Sequence, residues 1–271
     1  MMSACVVKKR CGEIERFCCG ASPLDLILEA TMSALKRFFV ENIQDVTSLE
    51  GEEFEHAKNV LRIGVGAEVV LLDNSGAEYT AVVAAVEKKR MLLNIVRKEI
   101  GEREAETDVC LLFGYLKNAD KNEFIVQKAV ELGVREIGVF SSEFSSAYMN
   151  ENKLERLNKV SREAAKQCLR ATAPTVRYFP SLNAALSSAS GYQNKLFACE
   201  FATKSELSLS SLAGSTALVV GSEGGFSREE AELAKENGFA LISLGKRILR
   251  AETAAIALTA VTAFHLGELG T

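Results

Sequence analysis

The sequence lacks any apolar run of the roughly 18–20 residues that a membrane-spanning helix needs, which argues against a helical membrane protein. Lys8, Lys9 and Arg10 stand near its start, but no continuous apolar stretch follows them, so no secretory signal peptide is predicted. We therefore expect a cytoplasmic protein with no membrane partner. With 48% apolar and 25% charged residues, the 271-residue chain has the composition of a globular protein.

A metal-binding cysteine pattern is also lacking. Four of the seven cysteines lie in the first nineteen residues, but their spacing fits no zinc motif and no histidine is close to them. The other three stand among apolar neighbours and are expected to be buried, inert thiols: Cys110, Cys168 and Cys199. No metal site is predicted.

The chain has no excess of positive charge, since 32 Lys and Arg face 36 Asp and Glu for a net charge of −4. This total does not favour a nucleic-acid partner, which usually requires clustered positive charge. One part of the chain nevertheless carries a local excess of positive charge, because residues 117–195 hold twelve Lys and Arg against eight Asp and Glu. The distribution of charge therefore leaves a nucleic-acid partner open.

The pattern of the chain predicts three parts. Residues 1–31 show no sustained helical or strand periodicity and are expected to be a poorly ordered extension. Residues 32–103 contain short strands over 69–73, 79–86 and 91–96, which predict a small β-barrel, and the charged stretch 97–108 is expected to be a linker.

Residues 104–271 alternate strands with helices and predict an α/β domain with a parallel sheet that is covered on both faces. Such sheets bind ligands beyond the carboxyl ends of their strands. The strands are expected over 109–115, 136–140, 176–179, 196–199, 217–220 and 240–244. Long helices are expected over 152–171 and 252–266, and two capping signals, at Asp120 with Glu123 and at Ser227 with Glu230, predict two further helix starts.

The first candidate ligand-binding segment is Gly-Ser-Glu-Gly-Gly-Phe at 221–226, between a strand and a helix. Its glycines allow the backbone to approach a ligand closely, although a simple tight turn is the alternative. No Gly-Lys-Ser/Thr follows, so it is not a P-loop, and the third glycine of the dinucleotide fingerprint is missing.

The second candidate segment is 243–253, where Arg247, Arg250 and Glu252 stand close together before the last helix. Arg250 at a helix start is placed to meet an anion. Glu252 suits the helix dipole, and that is its alternative role. The last helix is so apolar that it is either a core helix or a dimer interface.

The third candidate is the helix over 152–171. Its basic side chains fall within about a third of the circumference: Arg156, Lys159, Arg162, Lys166 and Arg170. Glu155 and Glu163 dilute this face. Two interpretations stay open, namely a track for an RNA backbone and a solvated face laced with ion pairs.

Four blocks together resemble the bacterial 16S rRNA uridine-N3 methyltransferase family (the RsmE type) of the trefoil-knotted SPOUT class: QKAVELGV (127–134), EAAKQCLRATAP (163–174), GSEGGFSREE (221–230) and SLGKRILRAETA (243–254). LKRFFV (35–40) and HAKNVLRIGVGAEVVLLDNSGAEY (56–79) resemble the N-terminal PUA-like barrel of that family. Two positions depart from its pattern, because Ser222 stands where proline is usual and Leu169 where glycine is frequent.

The resemblance implies an S-adenosylmethionine-dependent enzyme that methylates N3 of a uridine in 16S rRNA of the small ribosomal subunit, and that acts as a homodimer. It implies a cofactor site built from Leu196, Glu200, Gly221, Glu223, Gly224, Gly225, Leu244, Leu249 and Thr253. RNA contacts are expected from Arg62, Lys117, Arg156, Lys159, Arg162, Lys166 and Gln167.

Chemistry at a uracil imide requires that negative charge on the ring be stabilised and that a proton be removed. Arg250 and Arg170 are the candidates for the first task, and Glu131, Glu252 or solvent for the second. Two alternatives stay open: a knotted 2′-O-methyltransferase of tRNA or 23S rRNA, and a non-catalytic RNA-binding protein.

Overall fold

The computed structural model describes residues 35–145, 147–202 and 209–270. The extension predicted over 1–31, with its four cysteines, lies outside these residues. Among the helices of the described part, none is both long and apolar enough to cross a membrane. The described part contains two sheets, one of five strands and one of six.

The first sheet is a curled half-barrel with the strand order β1-β3-β4-β5-β2, in which β1 and β3 are parallel and the other pairs antiparallel. No backbone pairing joins β1 to β2 within the described residues, so the barrel is not closed. A short helix, α1 (Gly51–Glu55), and a π-helical turn, His56–Val60, follow β2. The strands are β1 (Lys36–Phe39), β2 (Val46–Glu50), β3 (Glu68–Leu72), β4 (Ala77–Val86) and β5 (Arg90–Ile100).

The hairpin between β3 and β4 follows from its turn residues. Asn74 and Gly76 adopt φ angles of 65° and 87°, which asparagine and glycine tolerate best. The inner face of the half-barrel buries apolar side chains such as Phe38, Leu71 and Leu93. Strand β5 continues to Ile100 because it pairs with all of β4, so the linker predicted over 97–108 begins four residues too early.

The second sheet is entirely parallel, with the strand order β11-β9-β10-β6-β7-β8. The chain builds β6 to β8 outward in one direction and then returns to place β9, β10 and β11 on the other side of β6. Sheets with such a reversal bind ligands at the carboxyl ends of their strands, near the switch point. The strands are β6 (Val109–Gly114), β7 (Glu136–Phe140), β8 (Val176–Phe179), β9 (Asn194–Ala198), β10 (Thr216–Val220) and β11 (Ala240–Ile242).

Helices cover both faces of this sheet, as alternation of strands and helices predicts. Side chains of α2, α3 and α6 pack with Leu111 and Phe113 of β6 in one core, while α4 and α5 pack with Cys110 and Leu112 in the other. Successive residues of β6 therefore point to opposite cores, as a buried strand requires. The helices are α2 (Ala119–Glu131), α3 (Glu151–Gln167), α4 (Leu182–Ser188), α5 (Arg228–Glu236) and α6 (Ala251–His265).

Of the two helix N-caps that the sequence predicts, one forms and the other lies two residues earlier. The capping box of Ser227 and Glu230 is confirmed. The cap predicted at Asp120 is wrong, because the Asn118 side chain accepts the Asp120 N–H at 2.9 Å. Asn and Asp cap helices equally well, so the local pattern does not choose between them. Helix α3 ends four residues before the predicted position, since Leu169 adopts a left-handed φ of 64°.

An internal ion pair ties the segment between the sheets to the C-terminal domain. Arg170 is 3% exposed, and its Nη2 donates to Glu104 Oε2 at 2.9 Å. Its Nη1 donates to the carbonyl oxygens of Val130 and Val134 at 2.9 and 2.8 Å. Burial raises the pKa of Glu104, but hydrogen bonds from Arg170 and Thr172 and the charge of Arg170 outweigh it and hold that pKa below its usual value. All three guanidinium nitrogens of Arg170 therefore have structural partners.

The strand order alone does not show how the chain threads, so the trefoil knot stays a prediction. The domain boundaries at 31/32 and 103/104 also stay predictions.

Replacement of Arg170 by Met should destabilise the fold by about 3 kcal/mol, because it leaves a buried carboxylate and two carbonyl groups without their donor. Denaturant unfolding measures the change. Arg177→Met is the matched control, since Arg177 pairs with Glu136 at the surface and its loss should cost about 1 kcal/mol or less. Equal losses in the two variants would show that Arg170 does not hold the domain together.

Candidate active site

Three loops at one edge of the parallel sheet line a single cavity of about 550 Å³. They follow β9, β10 and β11, which are neighbours in the sheet, so their carboxyl ends lie side by side. The glycine-bearing turn at 221–226 and the segment 243–252 both belong to this lining. The two segments that the sequence singled out therefore meet in one site.

The glycine-bearing turn is held by its own backbone and by one aromatic side chain. The Gly225 N–H donates to the Ser222 carbonyl oxygen at 3.0 Å, and Gly225 has a φ of 68°, which favours glycine. Phe226 is buried, and its ring lies 4.1 Å from that of Phe197, between ring centroids. The hydrogen bond between Gly225 and Ser222 therefore closes the turn, although serine stands at 222 where the resembled family usually has proline.

A glycine on the neighbouring strand sets the position of this turn. A Cβ atom at Gly114 would lie 2.5 Å from the Ser222 backbone nitrogen, closer than any side chain permits. Gly114 ends β6, which pairs with β10 directly before the turn. The close approach of the two backbones therefore depends on the missing side chain.

The second segment combines apolar and cationic side chains. Leu244 and Leu249 are half-buried in the cavity lining, whereas Lys246, Arg247 and Arg250 are exposed beside it. Arg250 is the N-cap residue of α6, with extended backbone and no side-chain capping bond. Within the described residues no hydrogen bond to its guanidinium is found, so it is available to a ligand.

Glu252, in the first turn of α6, pairs with a lysine on a different helix. Lys121 Nζ lies 3.0 Å from Glu252 Oε1, while Glu252 Oε2 is buried and has no hydrogen-bond partner among the described residues. Burial raises the pKa of Glu252, but its backbone hydrogen bond and the Lys121 ammonium outweigh burial and hold that pKa below its usual value. The carboxylate is therefore ionised near neutral pH.

The segment that begins α2 contacts both loops. The Lys117 N–H donates to Glu223 Oε1 at 3.1 Å, and Lys121 holds Glu252. The start of α2 thus joins the glycine-bearing turn to the Arg/Glu segment.

Nine of the thirteen residues predicted for catalysis and cofactor binding line the cavity: Glu200, Gly221, Glu223, Gly224, Gly225, Leu244, Leu249, Arg250 and Glu252. Leu196 does not, because it is fully buried in the core at the centre of β9. Thr253 does not either, because its side chain is exposed outside the lining.

Two of the predicted catalytic residues lie outside the cavity of this chain. The guanidinium of Arg170 is buried against Glu104 and the end of α2, as described above. Glu131 pairs with Lys128 at 2.8 Å, also at the end of α2. The structure does not bring either side chain to Arg250 or Glu252.

The basic face of α3 is largely neutralised. Arg156 pairs with Glu123, while Lys159 and Lys166 pair with Glu52 and Glu53 of α1 at 2.8 and 2.7 Å. Three of the expected RNA contacts are therefore ion-paired, as the alternative interpretation of this face predicts. Four expected RNA contacts keep exposed side chains: Arg62, Lys117, Arg162 and Gln167.

Sequence reasoning missed two lining residues that carry chemistry. Lys121 stands in the first turn of α2, where the helix dipole disfavours a cation, and this mismatch is a signal of a compensating acid. Cys199 lines the cavity, and both Cys199 and Cys168 are only partly buried, so the expectation of a buried thiol is wrong at these two positions. It is confirmed for Cys110, whose pKa burial raises to about 12. Within the described residues, no group of three or more His, Cys, Asp and Glu could hold a metal ion.

Two family models match the chain. The RNA methyltransferase domain matches residues 103–263, and the RNA methyltransferase PUA domain matches residues 49–96. The chain belongs to the RNA methyltransferase family. The PUA match covers most of the half-barrel, and the methyltransferase match contains every residue that lines the cavity.

Similar members of this family carry names that describe their substrate. The ribosomal RNA small subunit methyltransferase E of Bacillus subtilis (strain 168) is 31% identical over 84% of this chain and 96% of its own length. The protein of the same name from Mesomycoplasma hyopneumoniae (strain 232) is 36% identical over 60% of this chain and 73% of its own length.

Solved structures with bound cofactor are similar along their whole length. The ribosomal RNA small subunit methyltransferase E of Neisseria gonorrhoeae, bound to S-adenosylmethionine (SAM), is 28% identical with a TM-score of 0.77. The match covers 87% of this chain and 100% of that one. A Legionella pneumophila methyltransferase with bound SAM gives the same identity and TM-score over 85% of this chain and 97% of its own.

A Gly114→Ala substitution should destabilise this RNA methyltransferase domain by about 1–3 kcal/mol, because the new methyl group forces the backbone of Ser222 away from β6. Thermal unfolding measures the loss. Gly191→Ala is the control, since a Cβ atom there meets nothing within 4 Å and no left-handed φ is required. A Gly114→Ala protein as stable as this control would show that β6 does not position the turn.

Proposed function

We propose that this chain transfers the methyl group of SAM to N3 of a uridine in the 16S rRNA of the small ribosomal subunit. The observation that carries the proposal is the single cavity in which the glycine-bearing turn meets the segment with Arg250 and Glu252. The names of the small-subunit RNA methyltransferases that it resembles support the RNA. Two solved structures with bound SAM and a similar fold support the cofactor. The choice of N3 rests on the resemblance and on the chemistry of the site.

The residues present fit SAM. The cavity volume of about 550 Å³ lies within the range of small-molecule sites. Half-buried Leu244 and Leu249 offer apolar surface to an adenine ring, and the buried Ser222 Oγ has no hydrogen-bond partner among the described residues. Glu200 and Glu223 bring negative charge to the wall, which suits a cationic ligand.

Arg250 is the residue that we assign to charge stabilisation. When bound, SAM would supply an electrophilic methyl group, and the SAM sulfur would keep the electron pair of the carbon–sulfur bond that breaks. Loss of the N3 proton places negative charge on the uracil carbonyl oxygens, and a positioned guanidinium stabilises such charge. Arg250 lines the cavity and is exposed, whereas Arg170, the other candidate, is occupied by Glu104.

Glu252 is the residue that we assign to the N3 proton. Its Oε2 is buried beside the cavity without a partner, so it can accept a hydrogen bond from the imide N–H. Glu131, the alternative acceptor, lies outside the lining and is paired with Lys128.

RNA contacts are proposed on the surface around the cavity. Lys117 adjoins the glycine-bearing turn, and Arg62 is exposed on the half-barrel. The side chains of Arg156 and Lys159 are 67% and 43% exposed, and such surface ion pairs are weak enough for RNA phosphates to replace them. Lys166 is largely buried between Glu53 and Glu163, so its ion pairs are not replaced in this way.

A homodimer is proposed from the apolar surface of two neighbouring helices. Phe124 of α2 is 44% exposed, and Val261 and Phe264 of α6 are 40% and 55% exposed. Helices α2 and α6 pack against each other, and both expose large apolar side chains. The resemblance implies that the occupant of this surface is a second copy.

Methylation of small subunits from a strain that lacks this gene tests the function. The wild-type protein should transfer radiolabelled methyl from SAM to one uridine, and nuclease digestion with mass spectrometry should identify N3-methyluridine. Arg250→Ala should lose about 100-fold or more in kcat while SAM binding by calorimetry persists. Arg177→Ala, outside the cavity, should keep normal activity. A 2′-O-methyl product, or near-normal turnover by Arg250→Ala, would contradict the proposed chemistry.

The dimer has its own test. Light scattering should give the wild-type protein twice the 29.4 kDa mass of the chain, and Phe264→Asp should give one chain mass because a charge enters the apolar interface. Ile100→Asp, on the half-barrel and 85% exposed, is the control and should remain dimeric. A monomeric wild-type protein would refute the proposed assembly.

A further inference from the structure

Lys121 stands where local electrostatics disfavour a cation. It is the third residue of α2, and the N-terminus of a helix carries a partial positive charge. Its side chain is 30% exposed and lines the cavity, 3.0 Å from Glu252 on α6. The helix dipole does not favour a lysine at this position, but the ion pair across the two helices compensates for it.

The pair leaves the two carboxylate oxygens of Glu252 in different situations. Oε1 receives the Lys121 ammonium, whereas Oε2 is buried and has no partner among the described residues. A buried carboxylate oxygen without a donor carries a desolvation cost, which a ligand N–H would remove. Lys121 therefore determines which oxygen is left for a ligand.

Other charged groups face Glu252, and they do not replace this contact. Arg250 stands two residues before it and also lowers its pKa, but less than Lys121 does. Two cations and two acids stand elsewhere in the cavity lining: Lys246, Arg247, Glu200 and Glu223. Among the described residues, Lys121 makes the only ion pair with the Glu252 carboxylate.

We propose that Lys121 is a positioning residue that orients Glu252 through Oε1, so that Oε2 accepts the imide proton of the target uracil. The inference rests on the proposed function and adds a residue to it. In this step the N3–H bond breaks, the proton passes to Oε2, and the electron pair stays on N3 for its bond to the methyl carbon. Lys121 itself touches neither the base nor the methyl group.

The ion pair also sets the pH range of activity. Glu252 accepts a proton only when it is ionised, and the Lys121 ammonium helps to keep its pKa low. Loss of that ammonium raises this pKa. The acid limb of the kcat/KM profile, which reports the free enzyme, should then move to higher pH.

Kinetics of Lys121→Met on small subunits test the proposal from acidic to neutral pH, because the lowered pKa of Glu252 places the wild-type acid limb at acidic pH. We expect a lower kcat, an acid limb displaced to higher pH, and SAM affinity by calorimetry within about threefold of wild type. Lys121→Arg should restore most of the profile because it keeps the charge. Lys235→Met is the matched control, since Lys235 pairs with Glu232 at the same 3.0 Å on α5, away from the cavity.

A double-mutant cycle with Glu252→Gln separates an action through Glu252 from any other role. If Lys121 acts through Glu252, Lys121→Met should cost little further kcat in the Glu252→Gln background. Additive losses, or an acid limb like that of Lys235→Met, would overturn the inference and leave the proposed function intact. No methyl transfer by the wild-type protein would overturn the proposed function, and the inference with it.

Discussion

The parallel pairing of β9, β10 and β11 is the constraint on which the site depends. Because these strands are neighbours and run in one direction, the loops that follow them share one edge and enclose one cavity. The close contact of Gly114 with Ser222 then brings the turn after β10 against β6. Backbone geometry rather than side-chain contact thus brings together residues that are far apart in the sequence.

Electrostatic environment separates arginines that look equivalent in the sequence. Arg170 is buried, and all three of its nitrogens donate to Glu104 or to backbone carbonyls, so its charge stabilises the fold. Arg250 is exposed at the cavity, and its guanidinium makes no hydrogen bond within the described part of the chain. The same distinction applies to the carboxylates, because Glu131 is engaged by Lys128 of its own helix, whereas Glu252 keeps one oxygen without a donor.

The basic face of α3 shows why clustered charge is weak evidence for RNA binding. Lys159 and Lys166 pair with acids of their own helix and also with Glu52 and Glu53 of α1, more than one hundred residues earlier in the chain. The hydrogen bond and charge of Lys159 hold the pKa of Glu52 below its usual value, so this acid is ionised and competes with phosphate. The pairs tie the half-barrel to the C-terminal domain and leave Arg162 exposed on the same helix.

Capping residues and the spacing of apolar residues along the chain determined the helices and strands of this protein. The strands β7 and β8 have the predicted bounds, and the Ser227 cap forms as expected, because burial pattern and capping act within a few residues. Tertiary structure alone decided which charged groups meet, since Lys121 with Glu252 and Arg170 with Glu104 join positions more than sixty residues apart. No local pattern encodes such partners, because packing of the helices on the sheet brings them together.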